Sequence, residues 1–441
     1  MSILSTVFFA VILVIGFGYF TINVKKIIRN IKLGKDVNRS DNSSERWKNM
    51  ARIALGQSKM VKRPISGFLH VIVYVGFVII NIELLEIIID GLFGTHRIFA
   101  FMGGFYDFLI ASFEILALLV LIAVIVFWIR RNTIKLKRFA SSDLNGKPRN
   151  DANYILYFEV VLMSLFLLMN AADYHLQNLT EVFGHYEKAG SFPVSQFIAP
   201  LFDGMGNEAV YMLERTFWWM HIIGILIFLN YLYISKHLHI LLAFPNTYFA
   251  DLNVKGQLDN LESVTNEVKL MMDPNADPYA AAPADAVPSK FGASDVHDLN
   301  WVQLLNAYTC TECGRCSSAC PASQTGKKLS PRKIMMDTRD RLEEVGRNID
   351  KNKGVFIPDN VSLLNDYITA EELWACTSCN ACVEECPVDI NPLSIIIDLR
   401  RYLVMEQSSA PQSLNAMMTN IENNGAPWQY NQMDRLNWKN E

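Results

Sequence analysis

The sequence has 441 residues, enough for two or three domains, with 40 Lys and Arg against 44 Asp and Glu and a net charge of −4. Charged residues make up 19% and apolar residues 51%, the first below the ~25% of soluble proteins and the second at or above their usual range. So mild a balance excludes a nucleic-acid reader, and eight cysteines confined to 310–386 exclude a disulfide framework spread through a small secreted domain.

The apolar excess lies before residue 245. A spanning helix needs about 20 mostly apolar residues, and the stretches 3–23, 65–89, 105–129, 153–173 and 217–243 qualify. The first lacks a basic leader and a small-residue cleavage site and is followed by Lys25, Lys26 and Arg29, so it reads as a retained helix. Segment 24–63 holds twelve Lys and Arg and 130–152 holds seven, whereas 91–104 has only Arg97, and 174–216 only Lys188 and Arg215. Basic loops stay in the cytoplasm. The expectation is a multi-pass protein of a bacterial inner membrane with its N-terminus outside and everything after 243 in the cytoplasm.

Ionisable residues within spans are expensive and tend to be functional. His70 lies early in the second span; His221 lies near the outer end of the fifth, and His237 and His239 near its inner end. In a continuous helix the eighteen residues from His221 to His239 make five turns, about 27 Å, on one face, with His237 on nearly the opposite side. Such a pair suits two stacked b-type haems, with His70 completing bis-imidazole ligation of the inner one beside His239. The residue ten positions beyond His70 is Ile80, so the outer haem lacks a second histidine from that helix, and His175 is the substitute; His96 and His185 are outer-loop residues. Glu83, Glu86, Glu114 and Glu159 fall within apolar runs, where a carboxyl beside an apolar cleft serves a quinone or else pairs near a helix end.

Residues 245–300 change character, and DPNADPYAAAPADAVPSK reads as an extended linker. Two runs follow: CTECGRCSSACP with Cys310, Cys313, Cys316 and Cys320, and CTSCNACVEECP with Cys376, Cys379, Cys382 and Cys386. Each is C-x2-C-x2-C-x3-C-P, the bacterial ferredoxin pattern, whose fourth cysteine ligates the other cluster. One [4Fe–4S] cluster is thus expected on Cys310, Cys313, Cys316 and Cys386, the other on Cys376, Cys379, Cys382 and Cys320. Paired zinc sites favour separated C-x2-4-C halves, commonly with histidine, and fit less well. The 55 residues between the runs carry helical patterning, with Ser330 and Pro331 as cap and first turn. Arg315, Lys327, Lys328, Arg332 and Lys333 offer a basic face to an acidic partner, or a merely solvated one.

The cysteine runs and their helical spacer resemble the α-helical ferredoxin domain of heterodisulfide-reductase-type and glycerol- or glycolate-oxidase-type Fe–S subunits. The five-span half resembles the cytochrome b subunit of respiratory nitrate reductase, without its second histidine in the second span. Fused, they look like membrane Fe–S oxidoreductases that include electron-transfer-flavoprotein:menaquinone oxidoreductase. The tail NNGAPWQYNQMDRLNW is similar to the segment that precedes CCG domains in that family, and the 441 residues contain no CCG repeat. The resemblance implies an all-α chain: a five-helix membrane domain over 1–244, a linker over 245–300, an α-helical ferredoxin domain with two [4Fe–4S] clusters over 301–405, and a docking tail over 406–441. It implies one or two b-type haems, menaquinone as membrane substrate, a separate CCG subunit and an electron-transfer flavoprotein as donor. A heterodisulfide- or hydroxyacid-linked assembly, and a membrane redox sensor, are the alternative functions.

Overall fold

The computed structural model describes residues 3–179, 183–184, 186–275 and 290–440. His185 and most of the Pro- and Ala-rich stretch, residues 276–289, lie outside the described residues. The fold is all-α: among the described residues no strand forms, only the isolated bridges Lys35–Asn300 and Leu364–Ile368. Contacts divide the chain into two compact units. One comprises Met1–Arg29, Asn42–Ala250 and Tyr308–Gly314; the other comprises Asn30–Asp41, Asp251–Ala307 and Arg315–Glu441.

The first unit opens with α1 (Ile3–Ile31), the short α2 (Ser43–Met50), α3 (Pro64–Phe93), α4 (Gly104–Asn132), α5 (Lys147–Gln177) and α6 (Asn207–Leu232). All but α2 are long and apolar enough to cross a membrane, which makes this a membrane protein. Pro64 and Pro148 start α3 and α5 within the first turn, where a missing N–H costs nothing. Gly94 ends α3 with φ +72°, a left-handed cap that glycine adopts without strain. Phe9, Ile87, Ile110, Phe113, Phe166, Trp218 and Ile222 form the core. Gly91 is required there, because a Cβ would run into the Phe9 ring.

The fifth span departs from expectation. The run 217–243 is not one helix: α6 starts earlier, at Asn207, and ends at Leu232, and α7 (His239–Tyr248) follows a 3-10 turn over Lys236–Leu238. The cause is Asp151 of α5. Its carboxylate accepts from the Tyr231 hydroxyl (2.6 Å), the Ser235 hydroxyl (2.6 Å) and the Lys236 amide (3.1 Å), while Ser235 Oγ accepts from the His237 amide (3.1 Å). These bonds satisfy groups that a continuing helix would have used itself. The five-turn periodicity between His221 and His239 therefore does not apply.

In the second unit the helices are α8 (Glu262–Met272), α9 (Trp301–Thr309), α10 (Arg315–Ala319), α11 (Pro321–Gln324), α12 (Pro331–Lys351), α13 (Ala370–Trp374), α14 (Ala381–Glu385), α15 (Pro392–Met405) and α16 (Gln412–Asn424), with α9 reaching into the first. Ser330 caps α12, its hydroxyl accepting from the Lys333 amide at 3.4 Å. Ile334, Leu342 and Val345 of α12 and Ile395, Ile396 and Leu399 of α15 are fully buried. Part of the expected linker belongs to this core, for Ala293, Val296 and Leu299 are 0% exposed. What draws it in is Arg341, whose guanidinium binds Asp295 (2.8 Å), Asp359 (2.8 Å), Glu344 (3.0 Å) and the Val361 carbonyl (2.6 Å).

Candidate functional site

The two cysteine runs adopt the same backbone. In the first, Glu312 (φ +52°) and Gly314 (φ +70°) are left-handed; in the second, the equivalent Ser378 (φ +56°) and Asn380 (φ +59°) are. For a non-glycine residue this conformation costs about 1–2 kcal/mol. Its recurrence at matched positions marks a loop shaped for a ligand. All eight cysteines are free thiols. Within the second unit, Cys320 lies among the thiols of the second run: burial, then the neighbouring Cys376 and Cys320, pushes the Cys382 thiol up to about 12. Burial likewise raises Cys376, with Cys320 and Cys379 adding to it. Burial disfavours a free thiolate here, and metal ligation supplies the compensating charge that a cluster ligand needs.

Backbone N–H groups already point at sulfur: Ser378 N–H donates to Cys376 Sγ (3.4 Å) and Ile390 N–H to Cys386 Sγ (3.3 Å). Bonds of this kind tune cluster potentials. Among the described residues no three His, Cys, Asp or Glu side chains converge as on a single ion; a cubane holds its thiolates farther apart. The donor set fits two [4Fe–4S] clusters.

Arg400, which the sequence did not single out, braces the second loop from α15. It donates to the Leu373 (2.6 Å) and Cys376 (2.5 Å) carbonyls and stacks over Trp374 at 4.9 Å. The expected basic face is smaller than five residues, since Arg315 and Arg332 are buried at 4% and 1% exposure. Lys328 pairs with Glu371, and Lys333 with Asp337 and Glu372. Lys236 also escaped sequence reasoning. It ion-pairs with the buried Glu312 at 2.5 Å, tying the first cysteine loop to the His237–His239 segment within the first unit.

At that segment the His237 and His239 rings stand 5.5 Å apart and perpendicular, not on opposite faces as the continuous helix implied. His70 is close enough to act on His237 electrostatically, and Glu159 lies 3.8 Å from His237 Nε2. His239 Nδ1 bonds the Lys236 carbonyl at 3.0 Å. A carbonyl only accepts, so Nδ1 carries the hydrogen and Nε2 keeps the lone pair that an iron ligand needs.

His221 is elsewhere, 4% exposed, its Nδ1 bonded in the same way to the Leu162 carbonyl at 3.1 Å. It lines an apolar cavity of about 120 Å³ with Phe77, Glu83, Glu159, Met163 and Phe166. No other histidine lines this cavity among the described residues. His175 packs on Phe202 and faces Asp203 at 3.7 Å. Glu114 is occupied structurally, its Oε2 accepting from the Val194 (2.9 Å) and Ser195 (3.1 Å) amides.

A 4Fe–4S dicluster domain is recognised over residues 306–390. Over its whole length the chain is 30% identical to the probable iron–sulfur-binding oxidoreductase FadF of Bacillus subtilis, covering 61% of that protein. It is 27% identical over 92% of its length to the EtfAB:quinone oxidoreductase of Syntrophomonas wolfei, covering 55% of it. Over 35% of its length it is 31% identical to a probable membrane-anchored ferredoxin of Chromohalobacter salexigens, covering 25% of that protein. The chain thus spans about three fifths or less of these relatives. No solved structure matches it.

Proposed function

We propose that the chain is a membrane iron–sulfur oxidoreductase of the type these relatives represent, passing electrons between a cytoplasmic redox partner and menaquinone in the bilayer. The observation that supports this reading is the Cys320 thiol lying close to those of Cys376 and Cys382, as crossed ligation of two clusters in one domain requires. Cys320, Cys376, Cys379 and Cys382 hold one cluster, and Cys310, Cys313, Cys316 and Cys386 the other. When bound, the clusters supply one-electron carriers; the chain's part is to hold them with thiolates and to set their potentials through N–H···S bonds and Arg400.

At the inner end, His239 and His70 are the proposed axial ligands of a b-type haem, supported by the Lys236 carbonyl that fixes the His239 tautomer. The cavity beside His221 suits a quinone ring: apolar walls, with one imidazole and two carboxyls for its oxygens. A second reading makes His221 a haem ligand, favoured by its own Nδ1 bond to Leu162. The donor is proposed to be an electron-transfer flavoprotein, by resemblance and because the Syntrophomonas relative is named for EtfAB; the CCG-domain subunit between them is proposed by resemblance alone. The basic loops support an N-terminus outside an inner membrane.

Iron, sulfide and haem are to be quantified in anaerobically purified protein, with a dithionite-reduced spectrum. Two [4Fe–4S] clusters and one haem, reducible by a naphthoquinol, are expected. Two haems transfer His221 to the second reading, and zinc without sulfide refutes the proposal.

A further inference from the structure

Resting on the quinone reading of the His221 cavity, the buried charges of the membrane unit say where its protons go. Glu83 is 2% exposed and lines that cavity. Its Oε1 lies 3.9 Å from Arg97, while its Oε2 has no hydrogen-bond partner. Glu83 also lines a second cavity of about 30 Å³, walled by Glu86, Asp90, His96, Asp173 and Glu214, which is room for a water or two. Glu83 and Ile87 thus form the wall common to both spaces, and Glu83 is its one polar group.

The other carboxyls around the small cavity are saturated. Asp173 takes the Arg97 guanidinium (2.6 Å), and Glu86 accepts from Tyr106 (2.9 Å) and the Phe99 amide (2.9 Å). Asp90 accepts from Thr95 (2.5 Å) and the Arg97 amide (2.7 Å), and Glu214 binds Tyr186 (2.7 Å) and Arg215. Five carboxyls here face two guanidiniums. A low-dielectric bundle does not hold so many uncompensated anions, so the set retains protons. His96, 3.7 Å from Asp173 and in the turn that follows α3, is its partly exposed member.

We infer that Glu83 is the proton-exchanging group of the quinone cavity, joined through the water-sized cavity, Asp173 and His96 to the end of the bundle where α3 ends and α6 begins. When a quinone is reduced, two electrons arriving through the chain's iron–sulfur centres are matched by two protons. Each O–H bond formed on the ring takes its proton from Glu83, which is refilled along this path; quinol oxidation runs the same transfers backwards. That end is opposite to the one at which α6 leads on toward the cysteines. Turnover therefore moves charge through the bundle and responds to membrane potential.

The test uses the full chain in sealed liposomes with trapped pyranine, its sidedness fixed by protease access to residues 412–440. The probe is 2,3-dimethyl-1,4-naphthoquinol. Wild-type protein is expected to show cluster bleaching with proton release on the side of the 94–103 loop. Glu83→Gln slows bleaching on the order of 100-fold and removes a protonated-carboxyl band from the redox-difference infrared spectrum. Glu83→Asp restores most of the rate. Bleaching of Glu83→Gln at the wild-type rate, or wild-type proton release on the cysteine side, overturns the inference and leaves the quinone reading standing. Wild-type protein that neither bleaches nor binds heptyl-hydroxyquinoline N-oxide refutes the quinone reading itself.

Discussion

Arg341 offers the sharpest test of what holds the cluster-bearing unit together. Its side chain is 0% exposed and bridges Asp295, before the first cysteine run, to Asp359, between the runs. Replacing it with Met keeps the volume but leaves those two carboxylates facing each other without a cation, a loss of about 3–5 kcal/mol. At about 2–4 °C per kcal/mol for a unit of this size, loss of visible iron–sulfur absorbance on heating should come about 6–20 °C earlier. A pH series adds a second constraint. The Arg341 hydrogen bonds hold the Asp359 carboxyl below the usual carboxylate range. Its stabilisation is therefore present above the unfolded pKa of about 3.9 and is lost as pH falls through the lowered folded value. Arg341→Met lacks that stabilisation, so the gap between the two proteins holds from neutral down to about pH 4 and narrows below it. Comparing two proteins with the same clusters cancels the acid lability of the clusters themselves. A gap under about 2 °C, well below what such a loss implies, or one that widens on acidification, refutes the reasoning.

Crossed ligation is checked by Cys320→Ser. The electron paramagnetic resonance signal of the cluster on Cys376, Cys379 and Cys382 should change, with a three-iron species as the expected product, while the other cluster keeps its signal; a change confined to the latter removes the crossing. His239→Ala should abolish the inner b-type haem absorbance with iron–sulfur content preserved, and a full haem complement in that variant refutes the assignment. Glu114→Ala strands the Val194 and Ser195 amides, at about 1–3 kcal/mol for each buried group left unpaired. It should lower thermal stability in detergent yet leave the naphthoquinol bleaching rate within about twofold, the opposite of Glu83→Gln, which touches a proton-transfer group.

Much of this was legible in the sequence. Apolar length gave five spans, and the C-x2-C-x2-C-x3-C-P repeat gave the 4Fe–4S dicluster domain. Ser330 and Pro331 announced α12 because capping is local. What escaped was set by residues distant in the chain. Nothing between 217 and 243 is Gly or Pro except Gly224, so the break after Leu232 was invisible; Asp151, some eighty positions earlier, makes it. Arg97 looked like a sparse loop charge and is instead buried against Asp173 and Asn170. Arg315 and Arg332 looked like surface, because sequence shows charge and not its surroundings. Glu83 and Glu114 look alike in sequence; packing sets Glu83 on two cavities and Glu114 under the Val194 and Ser195 amides.

The interruption after Leu232 has a mechanical meaning. The apolar run it divides would, by composition alone, continue as a rod, and the halt is imposed by a single carboxylate on a neighbouring helix. If Asp151 loses its side chain, that brake is released. The seven residues from Tyr233 to His239 would then wind on along the α6 axis for about 10 Å, carrying both imidazoles with them and dragging Lys236 off Glu312. The seating of the His237–His239 segment against the first cysteine loop thus hangs on one aspartate side chain.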